Sequence, residues 1–139
     1  MKNHPSRIIL FILVISCPSW VYGQDKKAVK HKLKSITEYE QKYEKGVAGK
    51  ALKESEILYD SDGNVIEETE YKLGKVSKHV TYQYDEDNNK TRETELDPSG
   101  KKIKVTEYKY TDEGLRTEKI VYDANNKILS KKTYKYETY

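Results

Sequence analysis

Residues that normally build a compact core or cross-link a chain are scarce in this sequence. It has one cysteine, one phenylalanine and one tryptophan, namely Cys17, Phe11 and Trp20, and all three fall within the first 23 residues. The rest of the chain therefore has no thiol with which to form a disulfide. The mean hydropathy is −0.96 and only 35% of the residues are hydrophobic, which excludes a thick apolar core.

Proline is almost absent beyond the first 23 residues, where Pro98 alone occurs. Proline cannot donate a backbone hydrogen bond to a β-ladder, so its rarity favours a chain made of strands. Stability is then expected to come from long hydrogen-bonded strands and from the 13 tyrosines, which can cover a sheet face. Low hydropathy is also typical of disorder, but regular alternation and repeated turn residues favour a folded sheet.

Charges of both signs are interspersed along the sequence, and no long block of like charge appears. The chain has 26 Lys and Arg residues against 23 Asp and Glu residues, and the basic count falls to 24 when Lys2 and Arg7 are left out. This near-neutral remainder has no basic stripe, which argues against nucleic acid as a partner. It also gives no sign of long-range steering of an anionic ligand.

One pattern recurs along the chain with an almost constant period. Tyr59, Tyr84, Tyr110 and Tyr136 follow one another at intervals of 25, 26 and 26 residues, and a turn-forming run follows each of the first three. A second series of turn signals lies midway, in Leu73-Gly74-Lys75, Asp97-Pro98-Ser99-Gly100-Lys101 and Ala124-Asn125-Asn126-Lys127. Two turn signals per period predict two strands per repeat. The repeats are 59–83, 84–109 and 110–135, with a degenerate copy before residue 59.

The sequence therefore predicts an all-β fold, a twisted antiparallel meander of about seven or eight strands built from 26-residue double-strand repeats. Residues 24–139 form one β-repeat domain in this interpretation. The predicted strands cover residues 50–60, 64–72, 75–84, 89–97, 101–110, 115–123 and 127–138. Asp60 and Asp97 are expected to start type I turns that Gly63 and Gly100 close in a left-handed conformation.

Residues 25–45 allow two interpretations. Val29, Leu33 and Ile36 have helical spacing, whereas residues from Leu33 to Tyr43 also alternate with period 2. The local echo between residues 36–40 and 105–109 favours the strand. The run 45–50 is expected to be a turn.

Pairing the strands on paper places most tyrosines on one face. Register from the turns puts Tyr59 opposite Val65, Tyr71 opposite Val76, Val65 opposite Tyr82, Tyr122 opposite Ile128 and Arg116 opposite Tyr134. The face so predicted holds Tyr59, Tyr71, Tyr82, Tyr84, Tyr108, Tyr110, Tyr122, Tyr134 and Tyr136. The other face is predicted to hold Ile66, Ile103, Val105, Leu115, Val121 and Leu129.

Residues 1–23 have the features of a secretory signal peptide. Lys2 and Arg7 precede an apolar run over residues 8–15 that is too short to span a bilayer. Cleavage after Gly23 would release a periplasmic or secreted protein. Alternatively, residues 14–17 resemble a lipobox, and Cys17 would then anchor an outer-membrane lipoprotein. In either case the mature chain is expected to have no transmembrane segment.

The strand ends resemble the YD repeat of RHS-type proteins, in which a Tyr-x-Tyr-Asp strand end precedes a glycine turn. The stretches concerned are Thr81-Tyr82-Gln83-Tyr84-Asp85 and Glu107-Tyr108-Lys109-Tyr110-Thr111-Asp112-Glu113-Gly114. The resemblance covers residues 59–139 and implies a β-repeat protein without an assigned activity. Three or four units are too few to close the shell that large RHS proteins form around a cargo toxin, so encapsulation is not implied.

No catalytic or metal motif stands out. The Asp-x-Asp-x-Asn runs at residues 60–64 and 85–89 have the oxygen ligands of a Ca²⁺ loop, but the twelfth positions hold Tyr71 and Leu96 instead of glutamate. Turn chemistry explains these runs better. His31 and His79 lack further ligands at zinc spacing. Glu67, Glu68, Glu93 and Glu95 are expected to pair with Lys78, Lys102, Lys104 and Lys132. No cofactor or enzymatic activity is expected.

The tyrosine-rich face is the one feature with functional content. Its residues can form a simple covering layer for the sheet, buried by residues 25–45 or in a sheet-face dimer, or a platform for a glycan or a peptide. The platform candidates are Tyr82, Tyr84, Tyr108, Tyr110, Tyr134 and Arg116. The expected function is a non-catalytic binding or structural role in the bacterial envelope. The alternative is an immunity or antitoxin-like partner of another protein, bound by strand addition.

Overall fold

The structure is a computed structural model that describes residues 25–139. The predicted signal peptide and Cys17 lie outside the described residues. Within them a short helix, α1 (Lys26–His31), precedes ten strands. The strands are β1 (Ser35–Glu40), β2 (Tyr43–Glu44), β3 (Val47–Ala48), β4 (Leu52–Tyr59), β5 (Val65–Lys72), β6 (Lys75–Tyr84), β7 (Lys90–Leu96), β8 (Lys102–Tyr110), β9 (Arg116–Asp123) and β10 (Ile128–Thr133).

Eight of these strands form one open antiparallel sheet in the order β1-β4-β5-β6-β7-β8-β9-β10, and β2 pairs with β3 separately. The predicted all-β antiparallel meander is confirmed. Each of the seven predicted strands is present, although the last ends at Thr133 rather than residue 138. Neighbours in sequence are neighbours in space from β4 onward, as expected when each connection is a hairpin.

Five turns of the sheet share one design. In each, the backbone N–H of the first residue donates to the carbonyl of the fifth and the fourth residue has a positive φ, as in a type I turn closed by a left-handed residue. An Asp carboxylate accepts the backbone N–H groups two and four residues later at Asp60, Asp85, Asp97 and Asp123. In the remaining turn, which begins at Thr111, the threonine hydroxyl accepts the backbone N–H of Leu115 four residues later. The predicted turns at Asp60 and Asp97 are confirmed.

The β5–β6 hairpin turns differently, through the two residues Leu73 and Gly74. Both have positive φ, 52° and 76°, which is the conformation of a tight type I′ turn. Lys45 and Gly46 form a turn of the same kind between β2 and β3. The predicted turn over residues 45–50 is therefore part of a small two-stranded hairpin.

Residues 25–45 contain both of the structures that the sequence allowed. Asp25 caps α1, since its carboxylate accepts the backbone N–H groups of Lys27 and Ala28. Lys32 ends the helix in a left-handed conformation, and β1 then adds to the edge of the sheet beside β4. The strand interpretation is confirmed for β1. It is wrong for residues 26–31, which form α1 because Asp25 caps the backbone N–H groups of the first helical turn.

Every hairpin of the sheet contains one extra residue near the start of its second strand. Between β8 and β9, for example, Tyr110 pairs with Arg116 but Lys109 pairs with Glu118, so Thr117 is unpaired in the ladder. The equivalent residues of the other hairpins are Ile66, Ser77, Thr91, Ile103 and Leu129. These are β-bulges, which increase the local twist of a strand and move its later side chains to the other face.

Because of the bulges, the observed register differs from the predicted one. The pairs next to the turns, Tyr59–Val65, Tyr71–Val76 and Tyr122–Ile128, are as predicted. Pairs beyond a bulge are shifted by one residue, so Val65 does not pair with Tyr82 and Arg116 does not pair with Tyr134. The pairing on paper assumed strict alternation, which a bulge breaks.

Two predicted members of the tyrosine-rich face therefore lie on the other side of the sheet. Tyr122 pairs with Val105, which points away from Tyr108 because the two are three residues apart on β8. On β5, Tyr71 and Glu68 are likewise three residues apart and therefore face opposite ways. Glu68 pairs with Val80, which lies on the same face as Tyr82, so Tyr71 lies on the other face. Val121, predicted opposite the tyrosines, pairs with Thr106 and shares their face. We call the face of Tyr59, Tyr82, Tyr84, Tyr108, Tyr110, Tyr134 and Tyr136 the tyrosine face.

Burial is distributed over both sides of the sheet instead of in one thick core. Val105 and Thr106 are adjacent on β8 and face opposite ways, yet they are only 2% and 3% exposed. Val105 lies between Thr94 and Tyr122 of the neighbouring strands, and Thr106 lies between Glu93 and Val121. At one end of the tyrosine face, Ala28 of α1 packs against Tyr59 and Val65. Residues 25–33 thus cover only the β4–β5 end of the tyrosine face.

Candidate binding surface on the tyrosine face

Tyrosine rings and cationic side chains alternate along the middle of the tyrosine face. Lys90 Nζ lies 4.7 Å from the ring centre of Tyr82 and 5.5 Å from that of Tyr108. Arg116 Cζ lies 4.6 Å from the ring centre of Tyr108 and 6.0 Å from that of Tyr134. We call Tyr82, Lys90, Tyr108, Arg116 and Tyr134 the cation–tyrosine ladder. Each such contact contributes about 0.5–1 kcal/mol at exposed sites and more where water is excluded.

The ladder follows from the repeat. Lys90 and Arg116 are each the first residue of a strand that leaves a turn, and they pair with Tyr84 and Tyr110 on the preceding strand. The repeat period brings each cation between two tyrosines of neighbouring repeats. The sequence analysis named Arg116 and missed Lys90, although the 26-residue offset between them is the signal that would have found it.

We call each ring of the cation–tyrosine ladder, together with the side chains that contact it, a rung. Carboxylates complete the first two rungs. The hydroxyl of Tyr82 donates to Glu68 Oε2 at 2.7 Å, and that of Tyr108 donates to Glu93 Oε2 at 3.3 Å. Glu93 also accepts from Lys90 Nζ at 3.0 Å. Charge-assisted hydrogen bonds of this kind are stronger than neutral ones, so they fix the orientation of the rings.

A second set of tyrosines closes the open end of each strand pair. The hydroxyls of Tyr84, Tyr110 and Tyr136 donate to the backbone carbonyls of Val65, Lys90 and Arg116, at 2.8, 2.8 and 2.7 Å. Each acceptor is the first residue of the neighbouring strand. These three bonds, which we call the tyrosine clasps, hold strand ends that no turn connects.

The structure brings all six platform candidates together on one face, but they are not equally accessible. Tyr108 is buried, with 7% of its surface exposed, whereas Tyr82, Tyr84, Tyr110, Tyr134 and Arg116 are half-buried. Tyr136 is 50% exposed beside them. A ligand on this face would therefore contact ring edges and the exposed Tyr134–Tyr136 end.

Loss of a clasp should destabilise the sheet in proportion to its burial. We expect Tyr110→Phe to lower the free energy of unfolding by about 1 kcal/mol, because the carbonyl of Lys90 loses its donor where water has little access. Tyr136→Phe should cost less, since water can replace the hydroxyl at this exposed clasp. Urea unfolding of the two variants and the wild type measures the difference; equal losses would contradict the burial argument.

Burial also raises the pKa of several phenols on this face. Burial, followed by the hydrogen bond to Asp25, raises the pKa of Tyr59 to about 12. Burial and the neighbouring Glu68 raise the pKa of Tyr82, and burial raises that of Tyr84. In all three the folded chain favours the neutral phenol.

Stability should therefore fall in alkali. The unfolded phenol ionises near pH 10 and the folded one at higher pH, so this contribution is complete below about pH 10 and is lost as the pH rises toward the folded pKa. We expect the urea midpoint to fall between about pH 10 and 12, while phenolate absorbance rises together with unfolding. An unchanged midpoint over this interval would show that these phenols are not held neutral by the fold.

The other candidates are explained by local structure. The carboxylates of Asp60 and Asp85 serve their turns, which confirms turn chemistry for both Asp-x-Asp-x-Asn runs. His79 contacts Glu67 at 2.9 Å on the face opposite the ladder. Of the predicted carboxylate–lysine pairs, the one between Glu95 and Lys104 is present. Glu68 and Glu93 instead bind the tyrosines of the ladder, and Glu93 also pairs with Lys90.

The remaining lysines of the predicted pairs lie elsewhere. Lys78 pairs with Glu70 at 3.0 Å, and Lys102 donates to Asn126 Oδ1. Lys132 lies directly across from Lys119 of β9, and within residues 25–139 it has no ion pair with a carboxylate. The sequence order alone did not place these side chains because the bulges decide which ones share a face.

Comparison with known families identifies the repeat. Residues 59–102 match the model of the RHS repeat, which agrees with the YD-type resemblance of the strand ends. Over this stretch the chain is similar to the RHS repeat, and the repeated antiparallel strand pairs of the sheet fit a β-repeat protein. A comparison with curated proteins gave no match. Within residues 25–139 no helix is long and apolar enough to cross a bilayer.

Proposed function

We propose that this chain is an exported, non-catalytic β-repeat protein that binds a partner in the bacterial envelope through its tyrosine face. The cation–tyrosine ladder is the observation that carries this proposal. It aligns aromatic rings and cations along one direction, which suits an extended ligand that packs against the ring edges and against the exposed Tyr134–Tyr136 end. The ligand class that fits best is a cell-envelope glycan. The sheet supplies the rigid support that such a surface needs.

The export part of the proposal rests on residues 1–23. Cleavage after Gly23 gives a periplasmic or secreted protein, and lipidation of Cys17 gives an outer-membrane lipoprotein. Intact-mass measurement of the protein purified from its native host distinguishes them. A chain that begins at residue 24 supports release, an acylated Cys17 supports the anchor, and an unprocessed N-terminus contradicts export.

Binding is tested best where the face is accessible. We propose a pull-down from envelope extract with the wild type beside Tyr134→Ala. Tyr134 is half-buried at the end of the ladder, whereas Tyr108 is buried and its loss would confuse folding with binding. We expect wild type to retain glycan that the variant loses.

The matched control lies on the other side of the sheet. Tyr122 is also half-buried, but it shares the face of Val105. Tyr122→Ala should lose a similar amount of aromatic surface and still retain glycan. If wild type, Tyr134→Ala and Tyr122→Ala capture the same material, the tyrosine face is not the binding surface.

A second candidate is a protein partner, as for an immunity or antitoxin-like protein. Strand β10 is at the edge of the sheet and is exposed along its whole length, with Ile128 at 56% and Leu129 at 58% exposure. Such an edge can pair with a strand from another protein. Tyr134 donates its backbone N–H to Thr117 on β9, so by alternation the N–H of Lys131, three residues earlier, points away from the sheet. Lys131→Pro would therefore block pairing at this edge, and the side chain of Lys131 lies with Glu118 on the face opposite the tyrosine face. Loss of a captured protein in this variant alone would support the second candidate.

Self-association is a third outcome of the same surface. A sheet-face dimer would cover the ladder with a second copy and remove it from ligand. Sedimentation of wild type and Tyr134→Ala over a range of concentrations separates this outcome from glycan binding. A concentration-dependent dimer lost in Tyr134→Ala would replace the glycan proposal.

A further inference from the structure

The third repeat breaks the charge pattern of the first two on the tyrosine face. Glu68 and Glu93 occupy equivalent positions, three residues after the first strand residue, and each accepts from a ladder tyrosine. Lys119 occupies this position in the third repeat. The carboxylate that closed each earlier rung is thus replaced by a cation.

Lys119 also faces a second cation. It pairs directly across the strands with Lys132, so two ammonium side chains lie opposite each other on the tyrosine face. Like charges in such a pair repel and destabilise a sheet. Within residues 25–139 neither of them has an ion pair with a carboxylate. On the opposite face, by contrast, Lys109 and Lys131 both pair with Glu118.

Positive charge converges on one ring as a result. Lys90, Arg116 and Lys119 lie 5.5, 4.6 and 5.7 Å from the ring centre of Tyr108, while Glu93 contacts its hydroxyl. These four groups carry a net charge of +2. A local excess of one sign in a nearly neutral chain costs stability, and such local conflicts are expected at functional sites.

We infer that the third repeat of the tyrosine face, formed by Arg116, Lys119, Lys132 and Tyr134, is a subsite for the acidic sugar units of a glycan. This rests on the proposed function and names its ligand class. An anionic sugar places its carboxylate or phosphate between Lys119 and Lys132 and relieves their repulsion. Its ring stacks at the exposed end of the face, next to Tyr134 and Tyr136.

The test is binding of a defined acidic oligosaccharide. We propose calorimetric titration with an oligogalacturonate and with the neutral galacto-oligosaccharide of equal length. Wild type should bind the acidic probe, and added salt should weaken the binding because the site is open to solvent. Lys119→Glu combined with Lys132→Glu should weaken it by roughly tenfold or more, since attraction becomes repulsion.

The chain offers a control of equal charge. Lys72 and Lys75 also form a direct cross-strand pair, but they flank the Leu73–Gly74 turn away from the third repeat. Lys72→Glu combined with Lys75→Glu changes the net charge by the same amount and should leave affinity within about twofold. Lys132→Glu alone is the control for misfolding of the double variant. Because Lys132 is exposed, this single variant should fold normally, and it should still bind the acidic probe more weakly than the wild type does.

Failure of this inference is distinct from failure of the proposed function. Equal binding of acidic and neutral probes, lost in Tyr134→Ala, would leave a glycan surface and overturn the acidic subsite. Equal losses in the two double variants would reduce the effect to net charge and also overturn it. Binding of anionic lipid vesicles without the oligosaccharide would assign the cations to a membrane surface instead. No binding of any glycan would remove the proposed function itself.

Discussion

Gly63→Ala is expected to release α1 from the sheet. Gly63 has a φ of +80° in the first turn, and a Cβ at this position would overlap Val29 Cγ2 and approach the backbone N of Val29 to 3.1 Å. The turn cannot move away freely, because Asp25 donates its backbone N–H to the carbonyl of Gly63. The substitution therefore adds a steric conflict to the strain of a left-handed alanine, which costs about 1–2 kcal/mol.

Gly100→Ala measures the backbone strain of a left-handed alanine without the steric conflict that Gly63→Ala adds with Val29. Gly100 has a φ of +84° in a turn of the same design, and a Cβ there would meet nothing within 4 Å. We expect both variants to lose stability in urea, with the larger loss for Gly63→Ala. Only Gly63→Ala should speed cleavage by trypsin in α1, at Lys26, Lys27 and Lys30. Equal cleavage of the two variants would show that α1 does not depend on this contact.

Tyr108→Ala should have the largest effect of any substitution on the tyrosine face. The ring is buried and contacts Lys90, Arg116 and Lys119, and its hydroxyl donates to Glu93. Truncation removes this aromatic surface and leaves three cations close together without the ring between them. By analogy with other buried aromatic side chains, we expect a loss of about 3 kcal/mol or more.

The measurement is the free energy of unfolding from urea titration, with Tyr39→Ala as control. Tyr39 is 64% exposed on β1, so its loss should cost less than about 0.5 kcal/mol. Tyr108→Phe should fall between the two, because it retains the ring and loses the hydrogen bond to Glu93. A loss below about 1 kcal/mol for Tyr108→Ala would mean that the ladder does not stabilise the sheet.

The strands and turns were predictable because their signals are local. Asp60 and Asp97 can each bond to backbone N–H groups within the same turn, and Gly63 and Gly100 reach positive φ without strain. Each turn then fixes the pairs beside it, which explains why Tyr59–Val65 and Tyr122–Ile128 were predicted correctly.

The bulges were not predictable in this way. The residue inserted in each hairpin is Ile, Ser, Thr or Leu, and none of these types marks a bulge as glycine does. One unmarked residue reverses every later side chain of its strand, which moved Tyr71 and Tyr122 to the other face. The regular occurrence of bulges is visible only once the strands are paired.

The charge of the candidate site was hidden for a related reason. Along the sequence Lys119 and Lys132 are 13 residues apart with Asp123 between them, and the composition of the whole chain is near neutral. Pairing of β9 and β10 brings the two lysines together, while Glu118 points to the opposite face. Local charge on a sheet depends on register, which composition does not contain.

The tyrosine clasps have a consequence for how such a chain can change in length. Clasp, bulge and ladder cation all recur within one period, so residues 84–109 carry a full set of the contacts that join a unit to its neighbours. An in-frame duplication of this segment would add two strands and one further rung, and the contacts at each new junction would be the same as those already present. Units that contact mainly their neighbours tolerate such insertions. Gene-level gain or loss of copies would then lengthen or shorten the protein while leaving the geometry of every rung the same.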